Sequence, residues 1–331
     1  IGNLELEEGG TIRECKLAYA TFGKLNAAKD NAILVPTWYS GSNKIIEQIY
    51  IGSGRALDPE KYFIIVVNQI GGGLSSSPHN TPAPGGMANF PHVRIGDDVA
   101  AQHRLLNEKF GIKSLALVVG GSMGAQQTYE WAVRHPDMVK RAAPIAGTAK
   151  NTAHDFLFTQ TLVDAITSDP DFKQGFYASA ADVREGLLRH AKMWAVMGWS
   201  TEFFQENRPK ALGFSSMDDF IINFMYGYFS VMDPNDLLCM AWKWQRGDVS
   251  RNTGGDLRAA LARITAKTFV MPMTSDMFFP PSDCQAEWRL IRNAEFRPIR
   301  TIDGHLALFG ADPSALTQLD KHLGELLAIK V

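Results

Sequence analysis

Three residues along the chain have the types and the order that nucleophilic catalysis by a serine requires. They are Ser122, Asp276 and His305. A serine hydroxyl becomes a nucleophile when a base accepts its proton, and the base needs an anion that fixes its tautomer and stabilises its charged form. We therefore predict that Ser122 attacks, that His305 is the general base and that Asp276 orients His305.

The sequence around Ser122 is suited to presenting a nucleophile. The residues GGSMG at 120–124 fit the G-x-S-x-G pattern. The apolar run 115–119 predicts a buried parallel strand before the serine, and a helical pattern follows it. Such a strand–turn–helix unit holds the serine in a strained conformation, and the absence of Cβ atoms on the glycines prevents clashes there. The alternative is a tightly packed glycine-rich turn with an idle serine.

Asp276 and His305 each follow a predicted strand. Residues 268–273 predict one strand and residues 296–302 predict the next. The carboxyl ends of parallel strands share one edge of a sheet, where open α/β sheets place their ligand groups. In α/β-hydrolases the order along the chain is serine, acid and histidine, each after a different strand. The chain has this order, so we expect all three side chains at one edge.

Three other residues compete for the acid and base positions. Asp283 lies within a predicted helix that covers residues 282–292, and His322 lies within the predicted last helix. Asp303 is so close to His305 in sequence that it is poorly placed to orient the imidazole. Chain order and strand ends together favour Asp276 and His305.

The loop after another predicted strand, at residues 36–42, is the expected source of an oxyanion donor. In α/β-hydrolases one donor is the N–H after the nucleophile and the other comes from such a loop. We therefore predict the backbone N–H groups of Tyr39 and Met123 as the oxyanion hole. Trp38 and Leu306 are predicted to line the substrate pocket. The alternative for the loop is a simple turn.

The strand and helix patterns divide the chain into a core and an insertion. We predict an α/β-hydrolase fold, with a mostly parallel central sheet, from residues 1–150 and 257–331. Residues 3–7 and 12–22 predict antiparallel strands at one edge of this sheet. Residues 151–256 lack strand alternation and are rich in aromatic residues, so we predict an all-helical lid over the site. Such aromatic residues are more often part of a core or a dimer interface than of a substrate site.

Composition restricts the classes of partner and compartment. The chain has 331 residues, of which 45% are hydrophobic and 21% charged, and a formal net charge of −2. This charge gives no reason to expect a nucleic acid or an anionic membrane as partner. The three cysteines show no C-x-x-C spacing, so we expect no structural zinc and a reducing, cytoplasmic location. The expected chemistry needs no cofactor and no metal.

Several stretches together carry a family resemblance over nearly the full length. They are LAYATFGKLNAAKDNAILV with TWYSGS, FPHVRIGDDVAAQ, GGSMGAQQTYEWAVRHPD, SDMFFPP and a late GH. The chain resembles the homoserine O-acetyltransferase family of α/β-hydrolases. The resemblance implies a hydrolase core with a helical lid, a homodimer formed through that lid, and an acyl group passed from Ser122 to an acceptor. It also places Ser122, Asp276 and His305 at the family's triad positions.

Two positions differ from the pattern of homoserine acetyltransferases. Leu306 stands where the family usually has the aspartate that binds the substrate ammonium group. Ala191 stands where it usually has the arginine that holds the substrate carboxylate. Burying an unpaired ammonium group is costly, so the site suits a neutral substrate. The pattern is similar to the branch of this family that acts on short-chain esters, and we predict a serine esterase for short-chain, acetate-type esters.

Two other functions are consistent with part of this pattern. An acyl-CoA-dependent O-acyltransferase would use the same triad, because only the hydroxyl that accepts the acyl group differs. A ligand-binding protein on a hydrolase scaffold would not need all three triad residues.

Overall fold

A seven-stranded sheet forms the centre of the molecule. The structure is a computed structural model that describes residues 1–331. The chain has nine strands, of which β3 to β9 form this sheet: β1 (Gly2–Glu5), β2 (Thr11–Cys15), β3 (Tyr19–Phe22), β4 (Ala32–Pro36), β5 (Phe63–Val67), β6 (Leu117–Gly121), β7 (Arg141–Ile145), β8 (Lys267–Val270) and β9 (Ala294–Phe296). The order across the sheet is β3-β5-β4-β6-β7-β8-β9. Only β3 runs antiparallel to its neighbour, so the predicted mostly parallel sheet is confirmed.

The central strands are buried on both faces, which explains their continuous apolar sequences. In β5, for example, Ile65 and Val67 pack on one face while Ile64 and Val66 pack on the other. This alternation follows from the two-residue period of a strand. Both faces of the sheet therefore need helical cover.

Thirteen helices surround the sheet. They are α1 (Asn43–Tyr50), α2 (Ile95–Arg104), α3 (Met123–Arg134), α4 (Ala153–Thr167), α5 (Arg184–Gly198), α6 (Thr201–Gln205), α7 (Arg208–Ala211), α8 (Met217–Asp219), α9 (Gly227–Phe229), α10 (Pro234–Gln245), α11 (Leu257–Ala262), α12 (Pro281–Trp288) and α13 (Pro313–Ala328). Apolar residues of α1 and α13 pack on one face of the sheet, and those of α2 and α3 pack on the other. None of these helices is long and apolar enough to span a bilayer.

Residues 151–256 contain helices α4 to α10 and no strand. Their buried aromatic residues belong to the same hydrophobic cluster as one face of the sheet; among them are Trp194, Trp199, Phe203, Phe229 and Trp244. The inserted helices therefore continue the hydrophobic core beyond the carboxyl ends of the strands.

The N-terminal strands differ from the sequence prediction. The predicted strand over residues 12–22 is split into β2 and β3, and β2 pairs with β1 in a separate two-stranded sheet. The chain leaves β2 at Lys16, where the backbone N–H groups of Lys16 and Ala18 donate to the hydroxyls of Ser76 and Ser75. These side-chain acceptors replace strand partners, so only β3 joins the edge of the main sheet.

Candidate active site

Ser122 lies in the sharp turn between strand β6 and helix α3. Its φ of 55° and ψ of −124° fall outside the regions that non-glycine residues usually adopt. Gly124 makes this turn feasible, since a Cβ atom there would lie 2.6 Å from the carbonyl oxygen of Pro36. The strained backbone presents the Ser122 hydroxyl at the carboxyl end of the central strand, as expected for a nucleophile elbow.

The structure brings Ser122, His305 and Asp276 together in one hydrogen-bonded line. His305 Nε2 lies 2.9 Å from Ser122 Oγ, and His305 Nδ1 lies 2.7 Å from Asp276 Oδ2. Both distances are those of hydrogen bonds. All three residues are buried. The arrangement can transfer a proton from the hydroxyl to the imidazole while the carboxylate holds the opposite ring nitrogen.

The backbone fixes the orientation of Asp276. Its second carboxylate oxygen, Oδ1, accepts hydrogen bonds from the N–H groups of Phe278 at 2.8 Å and Phe279 at 3.1 Å. The turn after strand β8 thus holds the carboxylate through one oxygen and leaves the other for His305. The two phenylalanine rings also pack against the imidazole, with centroid distances of 4.8 and 5.6 Å.

The loop that carries His305 approaches the end of helix α5 closely. Gly304 has a φ of +59°, and a Cβ atom at this position would lie 2.6 Å from the carbonyl oxygen of Gly198. The Gly304 N–H donates to the hydroxyl of Ser275, one residue before Asp276. A glycine immediately before the histidine is therefore required by both conformation and space.

The predicted oxyanion donors lie in the two segments beside Ser122. Met123 is the first residue of α3, and the N–H groups in the first turn of a helix have no acceptor within that helix. The N–H of Tyr39 donates to no other group of the protein. Gly124 packs on the strand end that leads into the Tyr39 loop, with the 2.6 Å approach to Pro36 described above. Neither N–H group is therefore bonded to another group of the protein, as an oxyanion donor requires.

The two predicted pocket residues lie in different surroundings. Leu306 lines a cavity of about 250 Å³ whose other walls include Trp194, Trp199 and Phe229. None of the eleven residues that line this cavity has a charged side chain. Trp38 instead packs against the rings of Tyr50 and Phe309 and does not line it.

The competing acids and base make other contacts. Asp303 lies 3.5 Å from a guanidinium nitrogen of Arg208, and His322 lies 3.5 Å from the carboxylate of Glu325. Asp283 hydrogen bonds to its neighbour Ser282. None of the three bonds to the hydroxyl of Ser122.

Two further residues that contact the site region carry no motif in the sequence. The buried Gln69 donates through Nε2 to the carbonyl oxygen of Thr37, at 2.5 Å. The buried His190 lies 3.1 Å from the hydroxyl of Tyr39, although 151 residues separate the two. Gln69 has a weak signal, since it stands two residues after the apolar run 63–67 that forms β5, and the triad residues also follow strands. His190 has none, because no local pattern indicates its partner.

Comparison with known proteins identifies one family over most of the chain. A protein-family profile described as alpha/beta hydrolase fold matches residues 33–309. The ethyl acetate hydrolase of Pseudomonas veronii is 66% identical over 328 residues, which cover 99% of this chain and 94% of that protein. The homoserine O-acetyltransferase of Leptospira biflexa is 34% identical over 300 residues, covering 84% of this chain and 79% of that protein.

A solved structure agrees with this result. The acetylester hydrolase from Corynebacterium glutamicum superposes with a TM-score of 0.98 at 58% identity, covering 99% of this chain and 94% of that chain. Both the fold class and the resemblance predicted from the sequence are thereby confirmed. The relatives include esterases at high identity and homoserine acyltransferases at lower identity.

Proposed function

Because the chain belongs to the α/β-hydrolase family, we propose that it is a serine esterase that hydrolyses short-chain carboxylic esters through an acyl-Ser122 intermediate. The observation that carries this proposal is the hydrogen-bonded line from Ser122 through His305 to Asp276, next to a cavity without charged residues. The names of two highly similar relatives, an ethyl acetate hydrolase and an acetylester hydrolase, support the same substrate class.

The first half of the reaction acylates the serine. Ser122 Oγ attacks the ester carbonyl carbon while His305 Nε2 accepts the hydroxyl proton, and Asp276 stabilises the imidazolium. The carbonyl oxygen becomes an oxyanion that accepts hydrogen bonds from the N–H groups of Tyr39 and Met123. Collapse of this intermediate breaks the bond to the leaving alkoxide, which takes the proton from His305 and departs as an alcohol.

The second half releases the acid. A water molecule gives a proton to His305 as its oxygen attacks the acyl carbon, and the same N–H groups hold the second oxyanion. The bond to Ser122 Oγ then breaks, and His305 returns the proton to the serine. The products are one carboxylic acid and one alcohol for each ester and water consumed, and the enzyme is restored.

The cavity beside Leu306 supports a small and neutral substrate. Its volume is about 250 Å³, and aromatic and aliphatic side chains form most of its walls. A charged ammonium or carboxylate group would lose its hydration there without gaining a partner. An acetate ester of a short alcohol has no charge to desolvate. We assign this cavity to the apolar part of such an ester.

The inserted helices, residues 151–256, are proposed as the lid of this site and as the surface of a homodimer. Several apolar side chains of this segment are exposed, and they include Val196, Met217, Ile222 and Val231. Association would remove these apolar groups from water, which stabilises a dimer. Sedimentation of the purified protein tests the dimer.

The proposed location of the protein is the cytoplasm. All three cysteines are free thiols, which supports a reducing compartment of this kind.

One experiment separates hydrolysis from acyl transfer. Purified protein is given p-nitrophenyl acetate with and without excess L-homoserine, and the acetate and O-acetylhomoserine formed are quantified. We expect all acetyl groups to appear as acetate, whatever the acceptor. O-Acetylhomoserine in quantity would instead make the chain an acyltransferase.

A second experiment tests the nucleophile. Ser122→Ala should abolish turnover and labelling by a fluorophosphonate, while the circular dichroism spectrum stays unchanged. Retained turnover in this variant would refute Ser122 as the nucleophile. Failure of the wild-type protein to label would favour a binding protein without catalysis.

A further inference from the structure

The side chain of Tyr39 extends from the core into the helices of residues 151–256. Its hydroxyl lies 3.1 Å from His190 Nε2 on α5 and 3.1 Å from the carbonyl oxygen of Leu237 on α10. Its ring packs against the indoles of Trp194 and Trp244, with centroid distances of 5.5 and 5.8 Å. Tyr39 is also the residue whose backbone N–H is the proposed oxyanion donor. Contacts that fix this side chain therefore restrain the direction of that N–H.

The chemistry of the three groups sets the direction of their hydrogen bonds. The carbonyl oxygen of Leu237 can only accept, so the Tyr39 hydroxyl donates to it. The Tyr39 oxygen then accepts the Nε2–H of His190. Burial lowers the pKa of His190 to about 3, so the ring is neutral and carries one N–H.

His190 has no other polar contact that would account for its burial. Its Nδ1 atom is buried without a hydrogen-bond partner. A buried imidazole that makes one hydrogen bond costs free energy relative to an apolar side chain of the same size. We therefore attribute the presence of a histidine at position 190 to its hydrogen bond with Tyr39.

The inserted helices are also connected to the loop on either side of Tyr39, directly at Ser40 and through Gln69 at Thr37. The carbonyl oxygen of Thr37 accepts the hydrogen bond from Gln69, whose own oxygen lies 3.4 Å from Lys243 Nζ on α10. The hydroxyl of Tyr228 lies 2.8 Å from the carbonyl oxygen of Ser40. Residues 37–40 are thus held at three points by contacts that lead to the inserted helices.

We propose that the lid positions the oxyanion hole, and that His190 is a positioning residue that acts through the hydroxyl of Tyr39. The inference rests on the proposed function, in which the Tyr39 N–H stabilises the oxyanion. Loss of an oxyanion donor lowers kcat by about 10²–10³-fold. Displacement of a donor that is still present should lower kcat less, on the order of tenfold.

The test removes the hydrogen bonds and keeps the donor. Tyr39→Phe retains the backbone N–H and the ring, and His190→Leu removes the imidazole. We expect both variants to lower kcat for an acetate ester about tenfold and to change KM less than about twofold. Binding of trifluoroacetone should weaken by the same factor as kcat, because its adduct with Ser122 places an oxyanion in the same hole. His190→Gln, which can still donate to Tyr39, should restore part of the lost kcat.

Tyr177→Phe is the matched control. Tyr177 is another buried tyrosine, and its hydroxyl donates to Asp233 at 2.6 Å without contact to the loop. The Tyr177→Phe variant should lose thermal stability, as Tyr39→Phe does, and should keep the wild-type kcat. The inference is overturned if Tyr39→Phe keeps wild-type kcat and trifluoroacetone affinity while Ser122→Ala is inactive. Turnover that persists in Ser122→Ala would overturn the proposed function, and this inference with it.

Discussion

The core and the inserted helices of this molecule contribute different kinds of group to one site. The core carries every group that we propose to react with the ester, and each of these groups lies in a segment that follows a strand of the sheet. Residues 151–256 contribute contacts to these groups, such as the hydrogen bond from His190 to Tyr39. The difference separates groups that form and break bonds from groups that hold them in place. Substitutions in the two regions should therefore differ in size and in the quantity they change.

The largest predicted effect lies in the core. Asp276→Asn replaces the carboxylate with an amide that favours the wrong tautomer of His305, while the hydrogen bonds from Phe278 and Phe279 can persist. We expect kcat for an acetate ester to fall by about 10⁴-fold with little change in KM. Steady-state kinetics of the purified variant measures this. Asp283→Asn, a nearby aspartate on α12, is the control and should keep full activity. Similar activities of both variants would refute Asp276 as the orienting acid.

The same difference decides what could be predicted from the sequence. Ser122, Asp276 and His305 are predictable as a set because a parallel sheet brings the carboxyl ends of its strands together, so chain order and strand ends suffice. The contact between His190 and Tyr39 joins positions 151 residues apart on elements without a shared sheet. No periodicity or motif reports such a contact. Groups that position the site through tertiary packing therefore require the structure.

Element boundaries show a similar limit. The strand predicted over residues 296–302 is observed as β9, Ala294–Phe296, because pairing with β8 ends there apart from one isolated bridge between Met273 and Ile299. The break at Lys16 depends on serine side chains 57 and 60 residues away in sequence. Helix α1, at residues 43–50, has only a short amphipathic pattern after the Tyr39 loop. Apolar periodicity identifies the elements, whereas distant side-chain partners set their ends.

The next largest effect concerns the attachment of the inserted helices. Lys243 on α10 forms a buried ion pair with Asp98 on α2 and donates to the carbonyl oxygen of Ile70 at 2.7 Å. Lys243→Met leaves Asp98 buried without its cation. We expect the free energy of unfolding to fall by about 3–5 kcal/mol, measured by denaturant titration.

A surface ion pair provides the control for this prediction. Lys267 lies 2.8 Å from Glu295, and both side chains are partly exposed. Lys267→Met should cost less than about 1 kcal/mol. Equal losses in the two variants would show that the buried pair does not attach the inserted helices to the core. A larger loss of unfolding free energy for Lys243→Met than for Lys267→Met would show that contacts between the inserted helices and the core also stabilise the fold.

A smaller effect should appear as a dependence of stability on pH. Burial lowers the pKa of His190 to about 3, whereas an imidazole in the unfolded chain has a pKa of about 6.5. Above pH 6.5 both states are neutral at this residue. As the pH falls below 6.5, the His190 imidazole binds a proton in the unfolded state and not in the folded state, so the free energy of unfolding decreases. At pH 5 this linkage should amount to about 2 kcal/mol.

The comparison of wild type with His190→Gln isolates this contribution. Denaturant titrations of both proteins at pH 7.5 and pH 5 give two changes in the free energy of unfolding. The wild-type change should exceed that of the variant by about 2 kcal/mol, since all other groups titrate alike in the two proteins. Parallel pH dependences would mean that His190 accepts a proton in the folded protein. In that case it could not be the neutral donor to Tyr39.

The smallest predicted effect concerns acceptor choice, where core and inserted helices meet. Leu306→Asp places a carboxylate in the uncharged cavity beside His305, and it can pair with the ammonium group of an amino-acid acceptor. We expect O-acetylhomoserine to form in this variant, with L-homoserine bound about tenfold more tightly than by wild type, as one charged contact allows. Leu306→Asn, of similar shape and without charge, should transfer no more than wild type. The gain stays modest because the buried Ala191 on α5 offers the acceptor carboxylate no partner. Equal transfer by both variants would show that the charge beside His305 does not set acceptor choice.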